Sequence, residues 1–123
     1  MTSEEQIHAT SMSDTAVITP IENLRLNDRA ALFQGGDEIP ASIFVVQCQR
    51  NDGPDLHLHP YPEAFVVQSG IAVFTVGDEQ VTVPAGNVVV VPAQTPHGFK
   101  NPGDDELRVV SVHPSARVRQ TNL

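Results

Sequence analysis

The chain has 123 residues, seven basic and fifteen acidic side chains, a formal net charge of −8 and one cysteine. This length predicts one domain, and the acidic balance argues against nucleic acid or an anionic membrane surface as a partner. One cysteine excludes an internal disulfide and a cysteine zinc cluster. No apolar run approaches the roughly 20 residues of a membrane span, and no signal-peptide pattern is present, so we expect a cytoplasmic protein.

The first fifteen residues are polar and have no lasting hydrophobic period. We therefore predict a flexible N-terminal tail over residues 1–15 and a single folded domain over residues 16–123.

Short strand patterns, separated by turns rich in Gly, Pro, Asn and Asp, fill the rest of the chain, and no stretch has the period of a core helix. The four consecutive valines at 88–91 predict a strand buried on both faces. Regular spacing of strands and turns favours an all-β antiparallel sandwich or barrel. Strands are predicted at 30–33, 41–50, 64–68, 71–76, 80–83, 88–91, 97–100 and 107–112.

Candidate metal ligands are concentrated in one segment and one distant histidine. His57 and His59 share a strand face, because side chains at i and i+2 point the same way. A turn framed by prolines brings Glu63 toward the pair, and His97 comes from a later strand. This mixed nitrogen and oxygen set suits one divalent transition ion, namely Fe, Mn, Ni, Cu or Zn.

The number of ligands on such an ion separates two interpretations. With six ligands, two positions stay open for a bidentate substrate, or for a substrate together with O₂. With four ligands in a tetrahedron, the site is closed and only structural.

The first of these segments resembles the first motif of the cupin superfamily. His57, His59, Glu63 and Gly70 match that motif in order and spacing. The leading glycine departs from the pattern, since Gly53 lies only three residues before His57 and shortens the entry turn.

The second segment resembles the second cupin motif. Gly86, Pro92, His97 and Asn101 match in register. Gln94 stands where the family has glycine, and because a non-glycine residue adopts positive φ only at a cost, we expect a loop of different shape before His97.

The resemblance implies a double-stranded β-helix, the jelly-roll barrel of small single-domain cupins. It implies that His57, His59, Glu63 and His97 are metal ligands. It also implies a homodimer, for which the apolar strand near Ala30 and the tails could supply the contact.

Further residues are predicted to line a substrate pocket beside these ligands. Gln47 and Gln49 share a strand face and are interpreted as pocket-lining amides, because buried amides need partners. Tyr61 is expected at the rim, donating a hydrogen bond to substrate. Phe65 and Phe99 are candidates for the pocket wall, with the hydrophobic core as the simpler alternative.

Two further residues are interpreted as structural. Cys48 is expected to be a small apolar core residue. His113 is expected at a solvated strand end, with a place in the pocket as the alternative.

Three functions remain open from the sequence. The first is an enzyme acting on a small organic substrate. Resemblance to quercetinase-like cupins implies dioxygenation of an enol or aromatic compound, with cyclisation or isomerisation next and Glu63 as ligand or base. The second is a module that binds a small ligand through the metal. The third is a barrel with a purely structural metal.

Overall fold

The computed structural model describes residues 16–123, so the predicted tail at 1–15 lies outside the described residues. Ten strands form two five-stranded antiparallel sheets, in the orders β1-β2-β9-β4-β7 and β10-β3-β8-β5-β6. The strands are β1 (Ala30–Gln34), β2 (Ser42–Cys48), β3 (His57–Leu58), β4 (Glu63–Ser69), β5 (Ile71–Val76), β6 (Glu79–Pro84), β7 (Asn87–Val91), β8 (His97–Lys100), β9 (Leu107–His113) and β10 (Thr121–Asn122).

The all-β prediction is confirmed, and every predicted strand is present with shifts at its ends. The strand β10 was not predicted, and β3 was implied only by the shared face of His57 and His59, because two residues are too short to show a period. The helical segment of the described residues, Ile21–Leu24, is a single 3₁₀ turn without a buried residue.

The hydrophobic core lies between the two sheets. Side chains of alternating positions point inward from both sheets, as the pleat of a strand requires. Phe65 packs edge-to-face on Phe74 at 5.1 Å between ring centroids. The remaining buried members of the cluster are Cys48, Val67, Ala72, Val83, Val91, Phe99, Leu107 and Val109.

The prediction that the four valines of β7 are buried on both faces is wrong. Val91 is fully buried, but Val88 and Val90 are 63% and 65% exposed. Val89 and Val91 pack on the core, whereas Val88 and Val90 lie on the outward side of the sheet.

The outward side of the first sheet carries two continuous rows of apolar residues, which we call the outer apolar face. Each row crosses all five strands, because the register places one apolar residue opposite another at every step. The rows are Phe33, Ile43, Val112, Ala64 and Val90, and Ala31, Val45, Val110, Val66 and Val88, of which Ala31 is only 1% exposed.

Within residues 16–123, no helix is both long and apolar enough to cross a membrane.

Candidate metal centre

Four buried side chains from both sheets meet at one end of the core. His57 of β3 faces His97 of β8 directly across the second sheet, while Glu63 begins β4 in the first sheet. His59 follows β3 on the same side as His57, as the i, i+2 spacing predicts. One ligand atom from each residue lies within 4.8 Å of all the others, and all four residues are buried.

Each of the three histidines is oriented by a hydrogen bond from its Nδ1 to a backbone carbonyl. The distances are 2.7 Å for His57, 2.6 Å for His59 and 2.8 Å for His97. Because a carbonyl only accepts, Nδ1 must carry the proton, and the neutral ring has its lone pair on Nε2. The accepting carbonyls belong to Asp55, Arg119 and Thr95, respectively.

These lone pairs make the group suitable for a cation. Glu63 Oε1 lies 3.1 Å from His59 Nε2 and 3.0 Å from His97 Nε2. His59 Nε2 is buried and has no hydrogen-bond partner among the described residues. Acceptors held this close need a positive charge between them, and neighbouring ligands about 2.1 Å from an ion lie about 3 Å apart. A divalent ion therefore fits the donor set.

Burial and hydrogen bonding set the charge of the group. Burial lowers the pKa of His57 and of His59, which favours the neutral, ligating ring. Burial also lowers the pKa of His97, but its contact with Glu63 outweighs this and leaves the pKa raised. Burial raises the pKa of Glu63, yet the close contacts with His113 and His97, together with the Coulombic effect of His113 and His59, outweigh it and lower the pKa to about 2.

The loop before His97 keeps a left-handed residue at the position where the motif has glycine. Gln94 has a φ of 59°, and its backbone N–H donates to the carbonyl of His59 at 2.8 Å. The expected change of loop shape is therefore wrong. Gln94 is exposed, so its side chain has room, and the loop connects two ligand-bearing segments through this bond.

Asn101 closes the turn after β8, as its motif position implies. Its side-chain amide donates to the carbonyls of Cys48 and Asp105 at 2.9 and 2.8 Å. Its Oδ1 accepts from the backbone N–H of Gly103 at 3.0 Å. This buried residue thus joins the end of β2 to the start of β9.

A cavity of about 340 Å³ opens next to the four side chains. Its wall is mainly apolar, and Asn27, Arg29 and Gln120 add polar groups. Phe65 and Phe99 line this cavity and also belong to the core. The other apolar members are Ala30, Phe44, Val46, Cys48 and Pro54.

The prediction that Gln47 and Gln49 line the pocket is wrong. The cavity is lined by Phe44, Val46 and Cys48, which have the opposite parity on β2. Gln47 accepts a hydrogen bond from Arg25 Nη2 at 3.0 Å, and exposed Gln49 donates to Glu106 at 3.2 Å. Alternation separates the two faces of a strand but does not say which one points inward.

The structural role predicted for Cys48 agrees with its position. The side chain is 1% exposed within the core cluster. Burial raises the pKa of the thiol to about 11, so it is protonated and a poor nucleophile at neutral pH.

Tyr61 lies behind the cavity wall rather than at the rim. Its ring stacks on His59 with centroids 5.1 Å apart and planes 6° apart. Its hydroxyl contacts His113 Nδ1 at 2.7 Å and accepts the backbone N–H of Arg119 at 3.1 Å. The expected hydrogen bond from Tyr61 to a substrate is therefore replaced by one to a histidine.

His113 is the site residue that sequence reasoning placed wrongly. It is 1% exposed instead of lying at a solvated strand end, and its Nε2 lies 2.9 Å from Glu63 Oε2. His113 lies on the same face of β9 as the buried residues Leu107, Val109 and Ser111, and this alternation was the signal that could have identified it.

Comparison with known proteins decides the family. A family model described as a cupin domain matches residues 42–113, which is more than half of the chain. The chain belongs to the cupin family. The two sheets are accordingly the double-stranded β-helix expected from the motifs.

One curated protein similar to this cupin is a mannose-1-phosphate guanylyltransferase of Salmonella muenchen. The two are 24% identical over 103 residues, which are 84% of this chain and 22% of that protein. The cupin chain thus spans less than a quarter of the length of this relative.

Three solved structures with the same fold are 18–20% identical in sequence to this chain. Oxalate decarboxylase of Lactobacillus farciminis, in a formate complex, gives a TM-score of 0.74 over 87% of this chain and 35% of that one. Oxalate decarboxylase of Bacillus subtilis at pH 4.6 gives a TM-score of 0.70 over 78% of this chain and 28% of that one. An uncharacterised double-stranded β-helix protein of Klebsiella pneumoniae gives 0.68 over 85% and 94%.

Proposed function

We propose that this cupin binds one divalent transition metal ion through His57, His59, Glu63 and His97 and oxidises a small organic molecule with O₂. The observation that carries the proposal is the convergence of four buried donors within 4.8 Å beside a largely apolar cavity. Fe, Mn, Ni, Cu and Zn all suit this donor set.

The shape and chemistry of the cavity support a planar organic substrate. A volume of about 340 Å³ is at the lower end of small-molecule sites. Phe65 and Phe99 offer flat apolar surfaces, and the mouth carries the polar side chains of Asn27, Arg29 and Gln120. An enol or an aromatic hydroxy compound places its ring on the apolar wall and its oxygens near the donors.

When bound, the ion would act as a Lewis acid that lowers the pKa of a substrate hydroxyl and holds it near O₂. The residues of the chain orient the substrate and exclude water. Of the two roles open to Glu63, we favour the fixed ligand. A carboxylate whose pKa is lowered to about 2 is a weak base for taking a proton at neutral pH.

Two other functions use the same donors. A cyclase or isomerase would convert the substrate without consuming O₂, and a binding module would hold it unchanged. A cytoplasmic location and a small-molecule partner stay predictions.

Elemental analysis followed by oxygen uptake tests the proposal. We expect about one metal ion per chain and O₂ consumption with a flavonol or catechol panel under that metal. His97→Ala should weaken metal binding by more than the roughly ten- to hundredfold seen when an outer hydrogen-bonding partner is lost. Gln49→Ala, which changes an exposed amide just after β2 and outside the cavity wall, is the control.

Each alternative has its own outcome. Unchanged metal affinity in His97→Ala contradicts the ligand set. Substrate conversion without O₂ uptake contradicts the oxygenase and identifies the isomerase or cyclase. Saturable binding without conversion identifies the binding module.

A further inference from the structure

His113 is a buried histidine outside the group of four donors. It ends β9 with its side chain in the cavity wall. Its Nε2 is buried, makes no hydrogen bond of full geometry among the described residues, and lies 2.9 Å from Glu63 Oε2. Each oxygen of Glu63 therefore faces a different environment, since Oε1 faces His59 and His97.

The neighbours of His113 determine which nitrogen carries its proton. The Tyr61 hydroxyl already accepts the backbone N–H of Arg119 at 3.1 Å. Its own proton has one acceptor within reach in residues 16–123, His113 Nδ1 at 2.7 Å. With Nδ1 accepting, the neutral ring carries its proton on Nε2.

This tautomer is the opposite of that in the three histidines of the donor group. His57, His59 and His97 are protonated on Nδ1 and present a lone pair, whereas His113 presents an N–H. A lone pair binds a cation and an N–H does not. Hydrogen bonds to the backbone thus leave three imidazoles with an accepting Nε2, and the hydrogen bond with Tyr61 leaves the fourth, His113, with a donating Nε2–H.

We propose that His113, oriented by Tyr61, is a positioning residue that holds Oε2 of Glu63 and leaves Oε1 as the single oxygen directed at the ion. The inference rests on the proposed metal site. A carboxylate held through one oxygen occupies one position around an ion, whereas an unrestrained carboxylate can occupy two. His113 and Tyr61 therefore keep a position free for the substrate.

Three variants separate positioning from general support of the fold. His113→Ala removes the donor and should weaken metal binding roughly ten- to hundredfold. His113→Gln supplies an amide N–H of similar reach and should recover most of that loss. Tyr61→Phe keeps the ring stacked on His59 but removes the proton given to Nδ1, so both tautomers of His113 become populated. Ser111→Ala, two residues earlier on the same buried face of β9, is the matched control.

Two-bond ¹H–¹⁵N correlation spectra of the zinc-loaded full chain read the tautomers directly. We expect three rings protonated on Nδ1 with a metal-shifted Nε2, and His113 protonated on Nε2 without a metal shift. A His113 ring protonated on Nδ1, or equal metal affinity in His113→Ala and the wild type, overturns the inference. If no ring shows a metal shift, the metal site itself fails, which is a different result.

Discussion

At the scale of single residues, Gln94 adopts a left-handed backbone conformation that is unfavourable for a residue with a side chain. The residue adopts a φ of 59°, a region that non-glycine residues enter at a cost of about 1 kcal/mol or more. Its N–H nevertheless donates to the His59 carbonyl. The loop geometry of the metal centre is therefore imposed by the surrounding contacts.

Replacing this residue should relieve the conflict. We expect the free energy of unfolding of Gln94→Gly to exceed that of Gln94→Ala by about 1 kcal/mol. Both variants keep a positive φ at this position, which costs free energy for alanine but not for glycine. Equilibrium unfolding of both variants and the wild type, with unchanged slopes, measures the difference. Equal stability of the two variants would show that the backbone there is not strained.

Residue spacing predicted the donor group but not its surroundings. The pattern of His57, His59, Glu63 and His97 follows from strand parity and motif spacing, which are local properties of the chain. The contact of Tyr61 with His113 joins residues 52 positions apart, and no local pattern reports it. The error over Gln47 has the same origin, because the inward face of β2 is chosen by the sheet that packs on it.

At the scale of elements, the outer apolar face is the surface that most needs a partner. Strands about 4.8 Å apart make a five-stranded face roughly 24 Å wide. Three members of the two rows are well exposed, Val88 at 63%, Val90 at 65% and Val112 at 37%, so the exposed part of the face is concentrated on β7 and β9. Such a patch suits the apolar centre of a standard interface of about 800 Å² per partner.

We propose that a second copy of the chain covers this face. The two rows contain no charged side chain, so two chains with a net charge of −8 can meet there without placing like charges in contact. A two-fold arrangement uses the same patch on both subunits. The proposed contact uses the face of the first sheet, to which the strand near Ala30 contributes Ala31 and Phe33.

The mass in solution tests this dimer. We expect a dimer of the full chain by light scattering. The pair Val88→Lys and Val90→Lys should weaken association at least a hundredfold, because buried unpaired charges cost several kcal/mol. Val81→Lys changes an exposed valine of the other sheet and should leave the dimer intact. A monomeric wild type at micromolar concentration would contradict the proposal.

At the scale of the whole molecule, the metal centre joins the two sheets. His57 and His97 belong to one sheet and Glu63 to the other. An ion held by all of them adds a cross-connection that the unfolded chain lacks. An ion that binds only the native state stabilises it by a free energy that grows with the logarithm of the ratio of free ion concentration to dissociation constant.

Metal removal should therefore lower the melting temperature. At a free metal concentration a thousandfold above the dissociation constant, the gain is about 4 kcal/mol, or on the order of 10 °C. The gain should be full at about pH 7.5 and smaller at about pH 5, because His97, whose pKa is raised, is protonated first on acidification and a protonated imidazole does not bind the ion. Calorimetry with and without a chelator measures it, and His57→Ala should show no gain at either pH.

Residue 119 illustrates how tolerant such a site is to genetic change. Its carbonyl orients His59 and its N–H contacts the Tyr61 hydroxyl, so both duties belong to the peptide group and neither to the arginine side chain. Most missense alleles at this codon would leave both duties intact. Proline alone among the standard amino acids would remove the N–H. The metal centre therefore depends on the backbone of residue 119 and not on its side chain.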